Sequence, residues 1–326
     1  MLAEPPVVSV VIPCYNYGHF LGSALDSLLA QTLTDWECIL VDDGSTDTTR
    51  TVAEASAAED SRVQYVFQPN AGHSAARNTG LSRARGRYVQ MLDADDVIQK
   101  CKLERQADYL DSHPNCDVVY GNHDYFTDST LRTALESPLT ADSSPENCAA
   151  GPVPDILLRL MQRNIMVTHA PLFRRELYAR VGPLDTTLAA AEDWDFWLRC
   201  AFAGASFHCR NWDQAAALVR HHSASYSHDR RRMLESILQL RVKIGRMTDD
   251  PALQEINRRK HWEEEAALGK YEGIYGNWRR GAWLLGRAGV QARSPKWLLY
   301  ALLLPLLRPP LLRRIPRVRQ ALRSFE

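Results

Sequence analysis

Between Arg87 and Asp96 the chain reads Arg-Tyr-Val-Gln-Met-Leu-Asp-Ala-Asp-Asp, a short apolar run that ends in three carboxylates, Asp93, Asp95 and Asp96. Val89, Met91 and Leu92 suit a buried strand, so the acids begin where that strand should stop. In open α/β sheets the carboxyl ends of the strands are where ligands bind. Three carboxylates in four positions repel one another unless something positive sits between them. Asp93 and Asp95 alternate in an extended segment and therefore face the same side. A divalent cation with oxygen ligands would relieve the repulsion and hold phosphate oxygens on its open positions. The plain alternative for the triplet alone is a solvated acidic loop.

The elements around the triplet favour a site. Val7 to Ile12 is an apolar run broken only by Ser9 and stopped by Pro13, with the loop Cys14-Tyr15-Asn16-Tyr17-Gly18 behind it. Phe20, Leu21, Ala24, Leu25, Leu28 and Leu29 give a helical stripe within His19 to Thr32. Trp36 to Val41 is a second strand and ends in Asp42-Asp43-Gly44-Ser45-Thr46-Asp47, where Gly44 turns the chain and Ser45 or Thr46 can cap the next helix. A strand at Val63 to Phe67, a helix at Gly72 to Ala84 and a strand at Tyr88 to Leu92 follow. That alternation implies parallel strands with right-handed crossovers. Farther on come a helix at Lys102 to Ser112, a strand at Asp117 to Tyr120, and a long Ser-, Pro- and Asp-rich loop from Thr127 to Pro154. Helices at Ile156 to Arg163 and Arg175 to Val181 precede the acidic start of another, Glu192-Asp193-Trp194-Asp195.

Composition sets the outer bounds. With 39 basic and 39 acidic residues in 326, no global field recruits nucleic acid. The balance hides a basic end: from Arg293 onward the only acid is Glu326. Seven cysteines without metal-like spacing suggest reduced thiols and a cytoplasmic protein. No signal peptide is evident at the N-terminus, and no run reaches the roughly 20 apolar residues a spanning helix needs.

Five segments together resemble family 2 inverting glycosyltransferases of the GT-A fold, of the bacterial polysaccharide-assembly type. They are Val8-Ser9-Val10-Val11-Ile12-Pro13-Cys14-Tyr15-Asn16, Val41 to Asp47, Ala75-Ala76-Arg77-Asn78-Thr79-Gly80, Leu92 to Asp96 and Glu192 to Asp195, in the family's order. The resemblance covers roughly Val7 to Ser227. It implies a Rossmann-like, mostly parallel α/β sheet with flanking helices, a nucleotide-sugar donor (usually a UDP-sugar), Mg2+ or Mn2+, and a hexosyl transfer that inverts the anomeric carbon. Carried onto this chain, Tyr15 and Asp43 would hold the base, with Pro13 lining the slot. Arg77 would meet donor phosphate or an acid of the same site. Asp93 would contact ribose and Asp95 would bind the metal, with His222 as a further candidate ligand and Arg220 on phosphate. Asp193 would be the general base, and Glu192 and Asp195 would orient acceptor hydroxyls. Turn and cap chemistry is the competing account of Asp43, and helix-dipole stabilisation that of the acids at 192–195.

The domain reading is a catalytic part over 1–226, with a nucleotide-binding half to about 122, a helical extension over 227–292 and a basic, apolar tail over 293–326. Trp297 to Leu307 beside Arg308, Arg313, Arg314, Arg317, Arg319 and Arg323 suits the headgroup plane of an anionic bilayer. The expectation is a peripheral enzyme on the inner face of the membrane, with a glycan or lipid-linked acceptor and an unassigned oligomeric state. A non-catalytic donor-binding assembly partner is the alternative. Sugar-nucleotide pyrophosphorylases and dinucleotide-binding dehydrogenases fit less well, because no Gly-rich loop follows the first strand.

Overall fold

Strand β1 (Val8–Cys14) and strand β2 (Trp36–Asp42) are buried along their whole length, as central strands covered by helices on both faces must be. A computed structural model of the chain describes residues 4–136, 151–152, 155–222 and 229–307. It forms two compact units, Met1–Thr187 with Glu192–Ser225, and Leu188–Ala191 with Tyr226–Glu326. In the first unit, β1, α1 (Gly18–Leu29), β2, α2 (Thr49–Glu59), β3 (Val63–Phe67), α3 (His73–Arg83) and β4 (Tyr88–Met91) alternate. The four strands pair in parallel in the order β3-β2-β1-β4. Their carboxyl ends therefore lie along one edge, and the acid triplet leaves from the end of β4. Gly80 lets α3 lie on β1, since a Cβ there would fall 2.3 Å from Val11 Cγ1.

The chain continues through β5 (Val97–Ile98), α4 (Lys102–Ser112), β6 (Val118–Tyr120), β7 (His123–Phe126), α5 (Leu131–Glu136), β8 (Gly151–Pro152), α6 (Ile156–Gln162), β9 (Leu172–Arg174), α7 (Arg175–Val181), α8 (Glu192–Phe202), β10 (Phe207–Cys209) and β11 (Ala217–Arg220). The main sheet is completed as β3-β2-β1-β4-β9-β6-β10-β8. Strand β9 runs antiparallel to both neighbours, with Phe173 opposite Val89 on one side and Val118 on the other. A short apolar strand carries no local mark of its direction, so this reversal was not read from the sequence, but the sheet remains mostly parallel as expected. A small second sheet, β5-β11-β7, was also not predicted. Its antiparallel register pairs Ala217 with Ile98 and Leu218 with Val97, which draws Arg220 back toward the acid triplet.

Two further expectations are corrected. Pro13 does not stop β1: it is buried within the strand, opposite Val41 of β2. The cysteines are not all reduced either, because Cys209 is disulfide-bonded.

In the second unit, α9 (Arg230–Ile244), α10 (Pro251–Tyr275), α11 (Trp278–Gln291) and α12 (Pro295–Leu307) are separate helices. Asp229, Asp250 and Asn277 cap α9, α10 and α11 by accepting backbone N–H groups of the first turn. Pro305 falls in the last turn of α12, so the helix runs through it. Among the described residues no helix is long and apolar enough to cross a membrane. Most of the Thr127–Pro154 loop beyond Glu136, Ser223 to Ser225, and the arginine-rich stretch after Leu307 lie outside the described residues.

Candidate active site

The acid triplet is organised by side chains distant in sequence. Arg77, on α3 and 1% exposed, reaches Asp93 Oδ1 with Nη2 at 2.6 Å and Glu192 Oε1 with Nη1 at 2.5 Å. One guanidinium thus ties the end of β4 to the first turn of α8. Burial works against charge on Asp93, but the Arg77 guanidinium beside it holds its carboxyl well below the usual carboxylate range. His73 Nε2 also approaches Asp93 Oδ1, at 3.4 Å. Both Nη atoms of Arg77 go to acids of the site, so the fork joins them, while its buried Nε has no hydrogen-bond partner among the described residues.

Asp95 and Asp96 have the opposite electrostatics. Burial, then the charge of Asp93, raises Asp95, and burial with Asp95 and Asp93 raises Asp96 further. Asp95 Oδ2 lies 3.0 Å from His222 Nε2, with both side chains partly open to solvent. Phe20 and Tyr17 pack against the His222 ring at centroid distances of 4.6 and 5.8 Å and hold it in place. Burial and the neighbouring aspartates push the Tyr17 hydroxyl up to about 12, so it stays protonated.

Arg220 is placed otherwise than expected. Its backbone N–H donates to Asp96 Oδ1 at 2.7 Å and its Nε to the Asp95 carbonyl at 2.7 Å. Its Nη1 pairs with Asp128, and its guanidinium lies between Phe20 and Phe126. It is 3% exposed and braces the triplet through these bonds, while its Nη2 has no hydrogen-bond partner among the described residues.

Two sets of side chains have the chemistry of a divalent-metal site. Asp95 and His222 offer an oxygen and an imidazole nitrogen on a solvent-reaching surface. Asp93, Asp96 and His169 form a deeper cluster with ligand atoms within 4.8 Å of one another. His169 is 1% exposed and burial pushes it down to about 3, so its ring is neutral. Its Nδ1 is 3.3 Å from Asp96 Oδ2, but neither ring nitrogen makes a well-formed hydrogen bond. The backbone on either side of that ring is fixed from below: buried Lys102 donates to Gln90 and Gln106, which in turn hold the carbonyls of His169 and Ala170. The deep cluster has already given Asp93 Oδ1 to Arg77 and Asp96 Oδ1 to Arg220, and its Asp96 and His169 are buried while Asp93 is partly exposed. Asp95 and His222 fit a metal that must also touch a ligand.

Asp193 opens α8 beside Glu192. Asn164 Nδ2 donates to its Oδ2 at 3.0 Å, with Thr168 Oγ at 3.4 Å, and the Trp194 N–H donates to Oδ1 at 2.7 Å. Burial, then the charge of Glu192, pushes Asp193 up to about 6, against the pull of Arg77. A carboxylate so poised is ionised at neutral pH yet basic enough to take a proton. Asp195 differs. It is 0% exposed and its Oδ2 pairs at 2.9 Å with Arg199, which also donates to the Val181 and Pro183 carbonyls. It anchors α8 and cannot reach an acceptor hydroxyl.

On the nucleotide side, the Tyr15 ring is 49% exposed at the end of β1. Asp43 is enclosed: Gln68 and the N–H groups of Ala71 and Gly72 occupy its carboxylate at 2.7 to 2.9 Å. It fixes the loop that leads into α3, and buried Pro13 likewise belongs to the scaffold. Asp47 accepts from Thr49 and Gly18, which is cap chemistry. Asn164, Thr168, Tyr17 and Phe20 were missed by sequence reasoning. Each acts through a neighbour that only the fold supplies.

The family model described as Glycosyl transferase family 2 matches residues 9–182. The uncharacterized glycosyltransferase EpsJ of Bacillus subtilis is 35% identical over 196 residues, 59% of this chain and 55% of EpsJ. The chain thus spans about half the length of that curated relative, and 21% of the next, the uncharacterized protein y4gI of Sinorhizobium fredii. Among solved structures, S. aureus TarS 1–349 in complex with UDP-GlcNAc is similar with a TM-score of 0.62 and 18% identity, over 98% of this chain and 92% of TarS 1–349. At that identity the likeness is one of fold, and it is the GT-A fold. With the family model covering more than half of its residues, the chain belongs to glycosyl transferase family 2.

Proposed function

We propose that the chain is a metal-dependent, inverting hexosyltransferase that moves a sugar from a UDP-sugar to a glycan or lipid-linked saccharide in cell-surface polysaccharide synthesis. The observation that carries this reading is the Arg77 bridge, which joins the acid triplet to the Glu192–Asp193 pair in one charged cluster. Tyr15 would stack on the base and Asp93 would accept from the ribose. Asp95, with His222, would hold Mg2+ or Mn2+, which when bound offsets charge on the diphosphate. Asp193 would take the proton from an acceptor hydroxyl as that oxygen bonds to the anomeric carbon and the bond to the diphosphate breaks on the opposite face. The nucleoside diphosphate carries away the electron pair, and the configuration inverts. Glu192 Oε1 is committed to Arg77, so an acceptor hydroxyl would be met by Oε2. Asp195, Arg220, Asp43 and Pro13 serve as scaffold in this account. Asp193→Asn should stop transfer while donor binding survives; substantial residual turnover would exclude Asp193 as the base.

Peripheral attachment to the inner membrane face belongs to the same proposal. In α12, Leu299 and Leu302 are 54% and 71% exposed beside the basic C-terminal sequence. Pelleting with anionic liposomes should recover the full chain and not a chain ending at Arg293; equal recovery removes the attachment.

A further inference from the structure

We infer that Asn164 and Thr168 are positioning residues for Asp193, filling its Oδ2 so that Oδ1 is left to take the acceptor's proton. This rests on the reading of Asp193 as base. A carboxylate has about four lone-pair sites. Asn164 and Thr168 occupy two on Oδ2, and the Trp194 N–H occupies one on Oδ1. The unfilled direction is therefore on Oδ1.

The amide orientation is set by a second bond, since the Met166 N–H donates to Asn164 Oδ1 at 3.4 Å and turns Nδ2 toward the carboxylate. The segment is also registered against α8: Trp194 Nε1 donates to the Leu160 carbonyl at 2.8 Å, in the helix just before Asn164. A carboxylate gripped at both oxygens cannot rotate, which matters because a base works only when its lone pair meets the hydroxyl at hydrogen-bond distance. The charged groups facing Asp193 are Glu192 on its own helix and Arg77 from α3. Residues 164–168 bring only neutral donors, so their effect on the carboxylate is that of hydrogen bonding.

The test is a 13C-carboxyl NMR titration of the aspartate-labelled full chain, with the Asp193 signal identified as the one missing in Asp193→Asn. A donor to the ionised form favours it, so its removal makes the carboxylate hold its proton to higher pH. Asn164→Ala should raise the titration midpoint by about 0.5–1 unit and Thr168→Val by less. A midpoint unmoved in both variants overturns the inference. Should Asn164→Ala fail to fold, the near-isosteric Thr168→Val decides by the same criterion. An unmoved midpoint with an inactive Asp193→Asn would remove only the positioning role, whereas an active Asp193→Asn would remove the base itself.

Discussion

Two regions of this molecule bury acids, and they do so differently. In the C-terminal unit the two least exposed acids among the described residues are matched: Glu272, 1% exposed, meets Arg231 and Arg280, and Glu265, 0% exposed, meets Arg287. In the N-terminal unit Asp93, Asp95, Asp96, Glu192 and Asp193 gather around two guanidiniums, those of Arg77 and Arg220. Arg220 is partly spent on Asp128. Matched pairs can be explained by folding alone. A surplus of buried carboxylates costs stability through desolvation and mutual repulsion. A bound cation or bound protons would relieve it, in keeping with the metal site and the general base proposed above.

Breaking the surplus side should have the larger consequences. Asp193→Asn should lower the release of nucleoside diphosphate in a transfer assay by about 10²–10⁴-fold, the range of a lost general base, with donor affinity kept. Arg77→Met leaves Glu192 unpaired and Asp93 with only His73 beside it, and should cost about 3–5 kcal/mol in urea denaturation. Arg259→Met in the C-terminal unit, whose pair with Glu263 has side chains 62% and 40% exposed, should cost about 1 kcal/mol or less, because solvent screens that pair. Equal losses would erase the contrast between the regions.

Cation binding sharpens the same contrast at smaller scale. Mn2+ at a hundred times its dissociation constant should stabilise the protein by about 2.7 kcal/mol, read as a rise in melting temperature. Asp95→Asn should lose that rise and Glu272→Gln should keep it. The mildest effect is that of pH. Because Asp193 is pushed up to about 6, it is protonated below that value and ionised above it. The rate should therefore fall about tenfold per unit as pH drops below 6 and level off above it; a rate flat from pH 7 to pH 4.5 would contradict the assignment.

Much of this was legible beforehand. The first four strands are apolar runs that end in polar loops, and the acid triplet marks a strand terminus without help from tertiary structure. The partners were not legible. Arg77 and Glu192 are 115 positions apart, and no local pattern states that they meet. Pro13 looked like a stop because it lacks an N–H, yet its buried place in β1 shows that the strand tolerates that loss. Asp195 could have been read better: residues two apart on a helix point roughly 200° from each other, so Asp193 and Asp195 do not share a face. Arg199, four residues on, was an evident partner. His169 gave no sign at all, being one histidine in a mixed segment whose burial depends on Lys102, Gln90 and Gln106.

The central claim is that the carboxylate surplus exists to hold a cation against a diphosphate, and calorimetric binding of UDP to the full chain tests it most directly. UDP should bind in the presence of Mn2+, weaken at least tenfold when the metal is chelated, and weaken similarly in Asp95→Asn with Mn2+ present. Binding of equal strength under all three conditions would contradict it.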